Sequence, residues 1–274
     1  DLDGATMLCM AICSPEDEDF ENKALEVNRV VDRLHAQIRL CGIYESRKFL
    51  DLLYELKQKL VGRKREEFEH EATKLALTTI NSRLDGTYSS PFIWQRFRNV
   101  GYGELETRFI RYLLARLEYW LSQICQQELR DSFYNLVRSN GKIEGYHIEH
   151  ILSRNDTNKE MFESEELFEQ ERNRLGGLLL LRGSANISSG NEEYQDKKKS
   201  YSGTLFWNES LSDSLYHSNV PLKKFLDKSE LNLRALDYFR PEELEQRTRL
   251  MFNIAKEIWK ANGDNIDSTT SSSM

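Results

Sequence analysis

Apolar residues in the first half of the chain recur every three or four positions. Ala24, Val27, Val30, Val31, Leu34 and Ile38 form one such stripe, which predicts an amphipathic helix. Ser14 stands ahead of it as a cap and Pro15 suits a first turn. Glu16, Asp17 and Glu18 favour the positive end of the helix dipole. Similar periodicity covers 46–62 and 64–84, the second closing at the turn sequence DGTYSSP. The strongest stripe is Leu105, Phe109, Leu113, Leu117 and Trp120, widened by Tyr112, Ala115 and Leu121. An aromatic stripe at helical spacing is core and carries no cofactor role. Residues 1–135 are thereby predicted to form a helical bundle.

The pattern changes at SNGKIEGYHIEHIL. Ser139, Asn140 and Gly141 mark a turn. Ile143, Gly145, His147 and Glu149 then alternate with Tyr146, Ile148 and His150, as in a strand. An acidic helical insertion follows (NKEMFESEELFEQERNR), and LGGLLLLRG reads as a second, buried strand. SANISSGNEEYQDKKKSY starts a helix with Ser188 or Ser189 near its cap. Beyond Tyr201 lies a looser, aromatic-rich region. A last helix runs from Pro241 to just before Gly263. The expected organisation is residues 1–135, residues 136–262 and a disordered tail at 263–274.

With 39% hydrophobic and 30% charged residues, the composition is that of a globular protein. No apolar run approaches the ~20 residues needed to span a bilayer. The beginning, DLDGATMLCMAIC, has no initiator Met, basic region or cleavage site. It reads as part of something longer without a signal peptide. Cys9, Cys13, Cys41 and Cys125 make no C-x-x-C pair and are expected to be reduced and structural, in a cytoplasmic setting. A net charge of −7 argues against nonspecific binding of nucleic acid by the surface as a whole. Basic clusters at GRKR (62–65), WQRFR (94–98), Lys197–Lys199 and Lys223–Lys224 are first of all solvated faces.

Candidate chemistry gathers where strand, turn, strand and helix follow one another. Hydrolysis of a phosphodiester needs a base for water, a divalent cation against developing charge, and ligands for that cation. His150 suits the base, because neutral imidazole accepts a proton near pH 7. Glu149 and Asn186 offer the oxygen ligands that a hard ion prefers. Alternation directs Glu149 and His150 to opposite faces, so the pair works only where the strand bends or ends, near Ser153–Asp156.

These runs resemble the HNH, or His-Me finger, nucleases. More narrowly, they are similar to the C-terminal domain of GmrSD-type modification-dependent restriction endonucleases. The family pattern, roughly IEHIxP, then LGNLxLL, then a helix with Asn and Lys, is matched by IEHILS (Ile148–Ser153) and LGGLLLL (Leu175–Leu181). Asn186 and NEEYQDK (Asn191–Lys197) follow, and Arg247, Ala255, Ile258 and Trp259 fit the terminal helix. The resemblance covers about residues 130–260. It implies a mainly α fold, in which a helical bundle precedes a ββα-metal (HNH-like) core wrapped by helices. It also implies His150 as general base and Glu149 and Asn186 as ligands of Mg²⁺, with Mn²⁺ as the alternative. Asn191 and Lys197 would stand near the scissile phosphate, Lys197 supplying positive charge. His147, on the face of Glu149, would be a further ligand or a neighbour that tunes the metal.

Two positions depart from the family. Gly177 replaces the central Asn of LGNL, a loop-tying residue for which Asn173 or Asn155 are the candidate substitutes. Ser153 replaces the usual Pro, removing a fixed backbone angle. The implied function is a metal-dependent DNA endonuclease of prokaryotic defence, nicking modified or foreign DNA. A double-strand break would require two nicks or a homodimer. The family also implies an upstream sensor or nucleotide-hydrolysing domain, fused or separate, since no G-x-x-x-x-G-K-[ST] loop occurs in this chain. The alternatives are a weakened adaptor that binds DNA or a partner, and the same site acting on RNA.

Overall fold

The stripe from Ala24 to Ile38 becomes the inner face of helix α2 (Phe20–Leu40), where Val27, Val30, Leu34 and Ile38 are buried. The computed structural model of the chain describes residues 2–139, 141–183 and 192–260. The predicted tail, the Ser188 or Ser189 cap, Asn140, Asn186 and Asn191 lie outside the described residues. Helix α2 starts at Phe20 and not at Pro15. The polar residues before it satisfy one another in a turn: the Asp17 carboxylate accepts from the Ser14 amide at 3.3 Å and from the Lys23 ammonium at 2.6 Å.

One unit comprises the chain up to Phe97 together with Trp259. Besides α2 it contains α1 (Leu2–Ile12), α3 (Ser46–Leu60), α4 (Arg65–Leu84) and the single turn α5 (Trp94–Phe97). Leu8, Leu34, Leu53, Leu56, Phe68 and Ile80 meet in its core. Each such side chain contributes roughly 1.5–3 kcal/mol by leaving water. His35 packs edge-on against Tyr44 and Phe49 and accepts from Arg39 Nε at 3.0 Å, so it is structural. His70 and His217 are exposed. All four cysteines are free thiols, three of them buried and Cys9 partly so.

The other unit spans Arg98–Ile258. It contains α6 (Thr107–Cys125), α7 (Phe133–Arg138), strand β1 (Tyr146–His150), α8 (Asp156–Lys159), α9 (Glu165–Arg172) and a 3₁₀ turn (Leu175–Gly177). Strand β2 (Leu178–Arg182) follows, then α10 (Tyr194–Tyr201), three short helices, α11 (Phe206–Glu209), α12 (Asp213–Ser218) and α13 (Val220–Leu226), and last α14 (Pro241–Ile258). The strands pair antiparallel, His150 opposite Leu178 and Tyr146 opposite Arg182. The other edge of β2 is covered by α11. Trp207 Nε1 donates to the Leu178 carbonyl at 3.3 Å and Asn208 Nδ2 to that of Leu180 at 2.8 Å, which removes an open sheet edge.

The strongest predicted helix, α6, packs with the sheet inside this second unit. Its Glu118 carboxylate, fully buried, accepts from the amides of Phe206 and Trp207 at 2.8 and 2.9 Å. The first unit thus runs to Phe97 and the second begins at Arg98, ahead of α6. Gly176 lets the 3₁₀ turn close on α14, since a Cβ there would stand 2.4 Å from the Thr248 amide nitrogen. Arg247 of α14 is buried and donates to Ser210 Oγ at 3.1 Å and to the Trp207 carbonyl at 2.8 Å. Among the described residues, no helix is long and apolar enough to cross a membrane.

Candidate active site

Strand β1 ends at His150, where the Ile151 amide makes its bond to the Gly177 carbonyl at 2.9 Å and the chain bends away. The end of the strand brings Glu149, His150 and Lys197 together. Glu149 is buried, and its Oε1 accepts from the Lys197 ammonium. The same ammonium, only 1% exposed, donates to the His150 carbonyl at 2.7 Å. Lys197 thus spans the last peptide of the strand from the α10 side, and its charge is taken up by Glu149. Burial raises the Glu149 carboxyl and lowers the Lys197 ammonium, each against their mutual attraction.

The imidazole of His150 is half-buried. Its Nε2 lies 2.9 Å from Asn173 Oδ1, and the ring of Tyr102 meets it edge-on at 5.0 Å. Burial first, and the nearby Arg172 guanidinium second, push its pKa down to about 4, so the ring is neutral near pH 7. Arg172 itself donates to the Leu152 carbonyl at 3.1 Å. Beside it, Arg154 makes a two-pronged bond to Glu169 at 2.7 and 2.8 Å.

His147 turns elsewhere: its Nε2 lies 3.3 Å from the Gly141 carbonyl, and it borders Gly183. Asn186 and Asn191 fall outside the described residues. Among the described residues, no group of three or more His, Cys, Asp or Glu could hold a metal ion. A hard cation that keeps most of its waters needs only one or two protein oxygens, and Glu149 is a donor of the right chemistry.

The two departures from the family pattern have structural counterparts. Ser153 is buried and donates to the Glu192 carbonyl at 3.0 Å, while its own carbonyl accepts from Asn158 Nδ2 at 2.9 Å. These bonds hold the bend that a proline ring would otherwise stiffen. At Gly177 a Cβ would lie 3.1 Å from Leu244 Cδ1 and 3.2 Å from the Arg172 carbonyl, so a larger side chain is tight there. Asn173 makes the bond to His150, whereas Asn155 caps α8 by accepting from the Asn158 amide at 2.9 Å.

Tyr102 went unread in the sequence, although the glycines on both sides of it (GYG) are a signal of tight backbone approach. The basic clusters are largely engaged with neighbours. Arg63 meets Glu67, Arg98 meets Glu245, Lys199 meets Asp196, and Lys198 donates to the Leu236 carbonyl.

The family model described as GmrSD restriction endonucleases, C-terminal domain, matches residues 93–254. No curated protein matches the chain, and no solved structure does.

Proposed function

The chain belongs to the GmrSD restriction endonucleases through their C-terminal domain, and on that premise we propose that residues 98–258 form an HNH-type nuclease unit acting on modified or foreign DNA. The observation that carries this reading is the neutral imidazole of His150 at the end of β1, one residue from a buried carboxylate. In this reading His150 takes a proton from the attacking water. Glu149, with the amide oxygen of Asn186, would hold Mg²⁺ or Mn²⁺, whereas His147, turned toward the Gly141 carbonyl, is left out of the ligand set. Such an ion supplies charge stabilisation at the leaving oxygen. Lys197 directs the Glu149 carboxylate and ties down the peptide of His150. Asn191 is assigned to the phosphate. DNA is the partner, with an upstream sensor or nucleotide-hydrolysing domain, and cutting both strands calls for two nicks or a homodimer. The setting is the cytoplasm.

A second reading has one observation in its favour. The Glu149 carboxylate already has an ammonium partner in Lys197, which suits an adaptor that binds DNA or a protein without cutting. Nicking of a supercoiled plasmid, with Mg²⁺ or Mn²⁺ and then with chelator, separates the two. Wild type should nick in a metal-dependent manner, and His150→Ala should be slower by about a hundredfold or more. Equal cleavage by His150→Ala removes the mechanism, and a wild type that cuts neither DNA nor RNA favours the adaptor.

A further inference from the structure

His150 is gripped from the chain's 98–105 segment, far from it in sequence. Gly101 forms an isolated antiparallel bridge with Arg174, and the Tyr102 amide donates to the Asn173 carbonyl at 2.8 Å. A Cβ at Gly101 would stand 2.0 Å from that carbonyl oxygen, so the contact is made backbone to backbone. The two residues joined in this way then meet the same ring. Asn173 Oδ1 lies 2.9 Å from His150 Nε2, and the Tyr102 ring lies edge-on to it at 75°.

We propose that Asn173 and Tyr102 are positioning residues that clamp the His150 imidazole in the Nε2–H tautomer and in one ring orientation. An amide oxygen accepts and does not donate, so Nε2 must carry the proton and Nδ1 the lone pair. The nitrogen left to take a proton from water is Nδ1. The Tyr102 ring, in T-shaped contact at 5.0 Å, opposes turning of the imidazole about χ2, a motion that would exchange the two nitrogens. This inference rests on His150 being the base, but the clamp itself can be read without any reaction.

Ring ¹⁵N–¹H correlation spectra of the full chain at pH 7.5 give the tautomer of His150 directly. Wild type should show Nε2 protonated. Asn173→Ala should give a mixture of tautomers, and Asn173→Asp, which keeps an acceptor oxygen, should restore the single form. In the nicking assay Asn173→Ala and Tyr102→Leu should be slower by roughly ten- to a hundredfold at saturating DNA with KM unmoved. Tyr102→Phe should match wild type, because the ring and not the hydroxyl makes the contact. Tyr102 is 39% exposed, so truncating it leaves the fold intact if Asn173 variants prove unstable. A wild-type ring protonated at Nδ1, an Asn173→Ala spectrum identical to wild type, or full activity in Tyr102→Leu would overturn the clamp. Should wild type not nick at all, the nuclease reading fails while the tautomer still decides the clamp.

Discussion

Two histidines in this chain are kept neutral by their surroundings, and the cost of charging them is a stability effect. His35 sits between Tyr44 and Phe49, and burial together with the Arg39 charge pushes its pKa down to about 3. A depressed folded-state value means that this stability is fully present above the ordinary 6.5 and is lost as pH falls toward 3. Between pH 8 and pH 5 the loss from His35 is about 2 kcal/mol. His35→Gln keeps an acceptor for Arg39 and cannot titrate. Urea unfolding at the two pH values should therefore show its pH dependence smaller than wild type by that amount, and an equal dependence would refute the assignment. His150 contributes with the same sign. At the Glu149–Lys197 pair, burial pushes both groups toward neutrality, so the pair is held by geometry and by the His150 carbonyl more than by net attraction.

At the scale of elements, legibility followed periodicity. The helices with long apolar stripes, α2, α3, α4, α6 and α14, are present near their predicted ranges, as are the two strands. The start of α2 was misread because Ser14 and Asp17 close a turn of their own. Residues 205–226 hold three helices of seven residues or fewer, too short for a 3.6-residue period to declare itself. The site divides in the same way. Glu149, His150 and Lys197 belong to an ordered motif, whereas Tyr102 is brought to His150 by the Gly101–Arg174 bridge and its own amide bond to Asn173. Glu118 is the clearest omission, since a glutamate on a helix reads as surface.

Here Glu118 caps α11, the element that covers β2, and burial pushes its carboxyl up to about 7. A raised value means that its stabilisation is present below its ordinary 4.5 and is lost as pH rises through 7, opposite in sign to the histidines. Glu118→Leu leaves two buried amides without an acceptor, a cost of about 3 kcal/mol at pH 5. The difference from wild type should narrow at pH 8. Urea unfolding at both values checks this, and a variant as stable as wild type at pH 5 would show that α11 does not depend on this cap.

Over the whole chain, the path leaves the first unit after Phe97 and returns to it at Trp259. The return is fixed by specific bonds. The Trp259 carbonyl accepts from Arg33 Nε at 2.8 Å, and its indole Nε1 donates to Asp32 Oδ2 at 2.9 Å, with the side chain 3% exposed. Arg33 and Asp32 lie on α2, the helix that packs against α1 and α4, so Trp259 acts on the centre of that bundle. Trp259→Ala removes a buried aromatic surface and the indole donor, at a cost of about 3–5 kcal/mol. Arg33 would keep its bond to Glu69 and to the residue-259 carbonyl, so a weakened helix would report the lost ring and not a lost ion pair. Native-state hydrogen exchange should then show faster exchange of the α2 amides around Asp32 and Leu34. Unchanged protection there would mean that α1–α4 hold together without the returning chain.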